Sequence, residues 1–80
     1  MRVINAYGTE TIKTGKLTLA KAQEIVGGYV EVYNHNGKTV LLNEDGRMIG
    51  LPYNKTASEI LDFTVVGTVV IGDRNERILK

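Results

Sequence analysis

The dipeptide Asn36-Gly37 constrains this chain more than any other feature. Tyr29-Val30-Glu31-Val32-Tyr33 precedes Asn34-His35-Asn36-Gly37, and Lys38-Thr39-Val40-Leu41-Leu42 follows it. Two β-branched and aromatic runs joined by Asn-Gly fold back on each other as a β-hairpin. Loop length then decides which side chains share a face. A two-residue Asn36-Gly37 loop pairs Tyr33 with Val40 and mixes polar with apolar residues on each face. A three-residue His35-Asn36-Gly37 loop pairs Val32 with Val40 and Val30 with Leu42. It gathers those aliphatic side chains on one face and leaves Tyr29, Glu31, Tyr33, Thr39 and Leu41 on the other. A slip of one residue turns every side chain over, so the cleaner segregation selects the three-residue loop, with Gly37 left-handed.

A second turn at Asn43-Glu44-Asp45-Gly46 extends the pattern. With Asp45-Gly46 as its loop, Leu42 meets Ile49 and Val40 meets Leu51, so residues 29–51 read as a three-stranded meander with one apolar side. Upstream, Arg2 to Tyr7 reads as a strand ending at Gly8, and the polar residues 9–16 carry no defined pattern. Thr18 is placed to cap a helix in which Leu19, Ala22 and Val26 recur at helical spacing, with Leu17 as a staple and Gly27-Gly28 as the stop. After the Pro52-Tyr53-Asn54 turn comes a second short helix. Thr56-Ala57-Ser58-Glu59 has capping-box spacing there, and Asn54 competes as the cap. Thr64 to Ile71 is apolar on both faces, as a central strand is, and Gly67 within it signals a bulge or a close backbone approach. Gly72 to Arg77 is a polar exit, after which Ile78-Leu79 docks weakly.

The element order is therefore β-α-β-β-β-α-β. This is a single α+β domain over residues 1–80, with a small, mostly antiparallel sheet and two short helices on one face. A domain of this size buries only about 60% of the surface its unfolded chain exposes, and with no Cys it has no disulfide to help. The uncovered face would show Tyr29, Tyr33, Leu41 and one side of the last strand, a patch large for a monomer. Either the sheet curls into a small barrel or a second copy covers it; a homo-oligomer is the expectation.

Composition narrows the chemistry. Ten Lys and Arg against nine Asp and Glu give a net charge of +1, which supplies no broad attraction to nucleic acid or anionic lipid. A single His and the absence of Cys argue against a multi-His or thiolate metal site and a Cys nucleophile. Ser58 falls in the first turn of a helix, His35 in a hairpin loop, and Glu44-Asp45 in a turn, where each has a structural role. No catalytic residue, metal site or cofactor is expected, and the chain reads as a non-enzyme. With neither a leader-like segment nor an apolar run near 18 residues, a cytoplasmic protein without membrane attachment is expected.

Two clusters offer binding chemistry. At the entry to the second helix, Tyr53 provides a stacking face, Asn54 amide hydrogen bonds and Lys55 a charge, near backbone N–H groups that favour an anion. That set suits a small nucleotide or signal molecule, and a capped turn explains the same residues. On the hairpin, Tyr29 and Tyr33 form an aromatic face that suits either a protein contact or, weakly, single-stranded nucleic acid. Leu41 is assigned to that face.

Four segments resemble a small domain family of unknown function found in bacteriophages, plasmids and other mobile elements. They are Val26-Gly27-Gly28-Tyr29-Val30-Glu31-Val32, Asn43-Glu44-Asp45-Gly46, Gly50-Leu51-Pro52-Tyr53-Asn54-Lys55-Thr56-Ala57 and Val66-Gly67-Thr68-Val69-Val70-Ile71. The likeness runs from about Leu17 to Ile71 and brings no catalytic residue with it. It implies an accessory role inside a bacterial host cell. Such a protein would act by binding a host or phage protein, in host takeover or counter-defence, or by sequestering a signal molecule.

Overall fold

The computed structural model describes residues 1–79. Its strands are β1 (Arg2–Ile4), β2 (Glu10–Ile12), β3 (Val30–His35), β4 (Lys38–Asn43) and β5 (Val69–Asp73), and its helices are α1 (Leu19–Val26) and α2 (Lys55–Leu61). The strands form one open sheet in the order β2-β1-β5-β4-β3, every neighbouring pair antiparallel. The α+β class, the antiparallel sheet and the two short helices stand as the sequence indicates. Several details differ.

The hairpin turns on two residues, not three. Tyr33 pairs with Val40, Val32 with Leu41 and His35 with Lys38, so Asn36-Gly37 alone forms the loop. Both have positive φ, 50° and 75°, as a type I′ turn requires, and that turn matches the twist of the strands it joins. Local turn chemistry therefore overrides the segregation of faces.

No third meander strand forms. The free edge of β4 pairs with β5 instead, Val40 opposite Ile71 and Leu41 opposite Val70. Residues 44–50 coil into successive turns. The Asn43 side-chain oxygen accepts from the Asp45 N–H (2.8 Å), and the Leu51 N–H returns to the Gly46 carbonyl (2.9 Å). The remaining strand comes from residues 9–16, where β2 folds back on β1 after a turn in which the Asn5 side chain accepts from the Tyr7 and Thr9 N–H groups.

The helices lie on opposite faces of the sheet, not on one. Ala57 and Leu61 of α2 pack with Ile4, Val40, Val69 and Ile71, joined by Val65. Ala22 of α1 belongs to a second core with Met1, Leu17, Leu41, Val70 and Ile78. Successive residues of β4 and β5 thus feed alternate cores, as the twofold periodicity of a strand dictates. β5 is the central strand, buried on both sides. Ile78 is held in place by a short parallel bridge. The Leu17 N–H donates to the Arg77 carbonyl and the Leu79 N–H to the Leu17 carbonyl, both at 2.7 Å.

Both helices begin and end on recognisable signals. The Thr18 hydroxyl accepts from the Lys21 N–H and Gly27 closes α1 in the left-handed region. Leu19, placed on the core face by periodicity, is instead 54% exposed. Asn54, not Thr56, caps α2, which ends at a left-handed Asp62.

Candidate functional site

Covering both sheet faces changes which residues are available. Leu41 and Val70 are fully buried under α1, so Leu41 is a core residue and not a contact on the surface. The observed register also puts it on the opposite face from Tyr33: Val32 and Leu41 are paired, as are Tyr33 and Val40. The tyrosine face of the hairpin therefore contains Tyr29 and Tyr33 without Leu41.

The turn before α2 does not assemble into an open anion site. Asn54 is fully buried, and its side chain is engaged at every polar atom. Its amide nitrogen donates to the carbonyls of Ile4 (2.9 Å) and Gly67 (2.8 Å), while its oxygen accepts from the Ala57 N–H (3.0 Å). Asn54 is thus a cross-link between β1, α2 and the approach to β5, and it has no group to offer a ligand. Lys55 is exposed and lies 3.9 Å from Glu59 one turn on. Tyr53 is about half exposed and its backbone bridges Val66. Gly67, beside this turn, has φ +72°, and a Cβ there would stand 2.8 Å from Leu51 Cδ1. The close backbone approach expected from Gly67 is real and belongs to packing.

The surface with free chemistry lies at β3. Above its α2-side face is a groove of about 550 Å³ lined by Glu31, Tyr33, Leu42, Glu44, Arg47 and Phe63, among others. Phe63 meets the Tyr33 ring edge-on at 6.1 Å and the His35 ring at 5.2 Å, geometries that aromatic quadrupoles favour. Arg47 closes one wall by donating to the Thr64 carbonyl (2.9 Å). Glu31, two residues from Tyr33 on the same strand face, pushes the Tyr33 phenol pKa up through hydrogen bonding and charge, only partly opposed by Arg47. At neutral pH the phenol carries its proton, as an ordinary tyrosine does, and is available as a hydrogen-bond donor. Tyr29, next on this face, is 69% exposed.

Beside the groove runs the free edge of β3. The Glu44 N–H donates to the Tyr29 carbonyl, and the register continues as Glu31–Leu42, Tyr33–Val40 and His35–Lys38. Residues that exchange bonds alternate with residues that do not in an antiparallel ladder. The backbone groups of Val30, Val32 and Asn34 therefore point away from β4, outward from the sheet. Val32 is 47% exposed.

Of the contact residues expected from the sequence, the structure brings Tyr29 and Tyr33 to this surface; Tyr53 and Lys55 belong to the turn before α2, where Tyr53 bridges Val66 of the groove wall. Phe63 and Arg47 line the groove without a linear signal, because contacts between residues 33–35 and 63 follow from where α2 delivers the chain. Among the described residues, no three His, Cys, Asp or Glu side chains gather as a metal-ligand set, and no helix is long and apolar enough to cross a membrane.

None of the curated proteins or solved structures compared with the chain matches it. One family model does match, over residues 1–78. By that match the chain belongs to the family described as a domain of unknown function (DUF3846).

Proposed function

We propose that this protein is a non-enzymatic interaction module that binds an extended segment of another protein along β3. Its setting is that of a bacteriophage or mobile-element accessory protein acting in the cytoplasm of a bacterial host on a host or phage protein. The likeness of its four segments to that family supports this setting. The observation that carries the binding reading is the outward row of backbone groups at Val30, Val32 and Asn34, beside an aromatic groove. An added strand would find main-chain hydrogen bonds along the edge, which give affinity. Its side chains would find Tyr33, Phe63, Glu31 and Arg47, which give specificity. Natural sheets guard exposed edges with Lys, Pro, bulges or covering segments. Of the residues in β3, only Glu31 is a charged guard.

The test is capture from bacterial lysate on the immobilised chain, compared with Val32→Pro. Proline at residue 32 removes an outward N–H while leaving the ladder to β4 intact. Partners retained by the native chain and lost by Val32→Pro support the reading. Partners held equally by both would place binding elsewhere and overturn it.

A further inference from the structure

We propose that the β3 edge is self-complementary and pairs with β3 of a second copy about a two-fold axis at Val32, joining two sheets into one. This inference rests on the strand-addition reading and names a second copy of this chain as one occupant of that edge. It does not rest on an uncovered sheet face, since both faces carry a helix and a core.

Hydrogen bonding and charge select both the occupant and the register. The outward groups belong to Val30, Val32 and Asn34, a set symmetric about its middle member. In an antiparallel two-fold pair, Val32 faces Val32 of the other copy and Val30 faces Asn34, so all the outward groups exchange bonds. On the groove side, the same register puts Glu31 of each copy opposite Tyr33 of the other. A carboxylate then meets a phenol that keeps its proton, and the match occurs twice. On the other side the two Val32 side chains cover each other. Shifting the axis to Glu31 would set the two carboxylates directly opposite, which is destabilising. Shifting it to Tyr33 would leave Val30 without a strand partner. Val32 is therefore the favoured centre, and dimerisation and partner binding compete for one edge.

The experiment is sedimentation of the full chain across concentrations, together with cysteine crosslinking. The chain contains no Cys, so a single introduced thiol reports one register. The native chain should shift with concentration from 8.8 kDa to twice that mass, and Val32→Pro and Val32→Lys should lose the shift while keeping a native circular dichroism spectrum. Val32→Cys, on the axis, should oxidise to a disulfide-linked dimer, since facing Cα atoms in such a pair lie about 5.5 Å apart. Asn34→Cys, off the axis, should not. A chain that stays monomeric at all concentrations, or an Asn34→Cys that crosslinks as readily as Val32→Cys, would overturn the self-pairing. Lysate partners still lost by Val32→Pro in the monomeric case would leave the strand-addition reading standing, so the two failures are separable.

Discussion

Asn54 joins three parts of the chain with one buried side chain, and its two ends make different demands. The oxygen caps α2 by accepting from the Ala57 N–H, and the nitrogen satisfies the Ile4 and Gly67 carbonyls. An alanine would lose the cap, worth about 1 kcal/mol. It would also take one hydrogen bond from each of two buried carbonyls, at about 1 kcal/mol each. Asn54→Ala should therefore lower unfolding free energy by about 3 kcal/mol in urea titration. Asn54→Asp separates the two roles. It keeps the capping oxygen but turns an oxygen toward both carbonyls, so it should be at least as damaging as alanine. If Asn54→Asp proved near-neutral, the cap alone would matter and the cross-link would carry little. The sequence made Asn54 visible as a cap candidate and as a ligand candidate. Its burial and its bond to Ile4, fifty residues away, have no local signature, and they decide between the two.

At the scale of elements, legibility followed how local the cause is. Both helices, the β3–β4 hairpin and the central last strand are written in capping residues, Asn-Gly and a doubly apolar run, all of which act within a few positions. Local signals mislead where a non-local choice intervenes. Face segregation selects a three-residue loop only where one sheet face is polar and the other apolar; with a helix and a core on each face, that condition is absent, and the Asn36-Gly37 turn prevails. The β1–β2 ribbon was illegible for a similar reason, since Glu10–Ile12 is a short, wholly exposed strand without an apolar pattern. A paired charge supports it instead. Arg2 Nε and Nη2 donate to the two Glu10 carboxylate oxygens at 2.6 and 2.9 Å. That fork of hydrogen bonds, aided by charge, holds the Glu10 carboxyl below its ordinary value. A depressed folded pKa means that the contribution of the pair is complete above the unfolded glutamate value, about 4.3. It is lost as pH falls through the folded pKa. Carboxyl NMR titration should place Glu10 below the ordinary value in the native chain and return it toward that value in Arg2→Ala. An unchanged Glu10 titration would show that the fork does not form in solution.

The whole molecule is two small cores that share one sheet, with β4 and β5 supplying alternate residues to each. Such an arrangement couples the cores. A change that loosens β5 on one face moves the strand for the other, so unfolding should be a single transition despite the two cores. It also redefines Leu41. From the sequence, Leu41 belongs to an exposed contact face; in the fold it is fully buried beside Ala22 and Val70. The two placements predict different phenotypes for Leu41→Ala. A core leucine cut to alanine loses transfer energy and leaves a cavity, costing about 2–5 kcal/mol. An eighty-residue domain has a total stability of roughly 4–12 kcal/mol. Leu41→Ala should therefore bring the chain close to its unfolding threshold, with a markedly lower urea midpoint and an unchanged slope. Leu61→Ala, in the opposite core, should do the same with the same single transition. A contact residue would behave otherwise: Leu41→Ala would keep the native midpoint at low concentration and weaken only association. Val32→Lys is expected to show that second pattern. Comparing Leu41→Ala, Leu61→Ala and Val32→Lys in one set of denaturation and sedimentation measurements thus tests the two-core architecture and the accessibility of the β3 edge together. If Leu41→Ala changed association and spared stability, α1 would not cover the sheet, and the exposed-face reading would return.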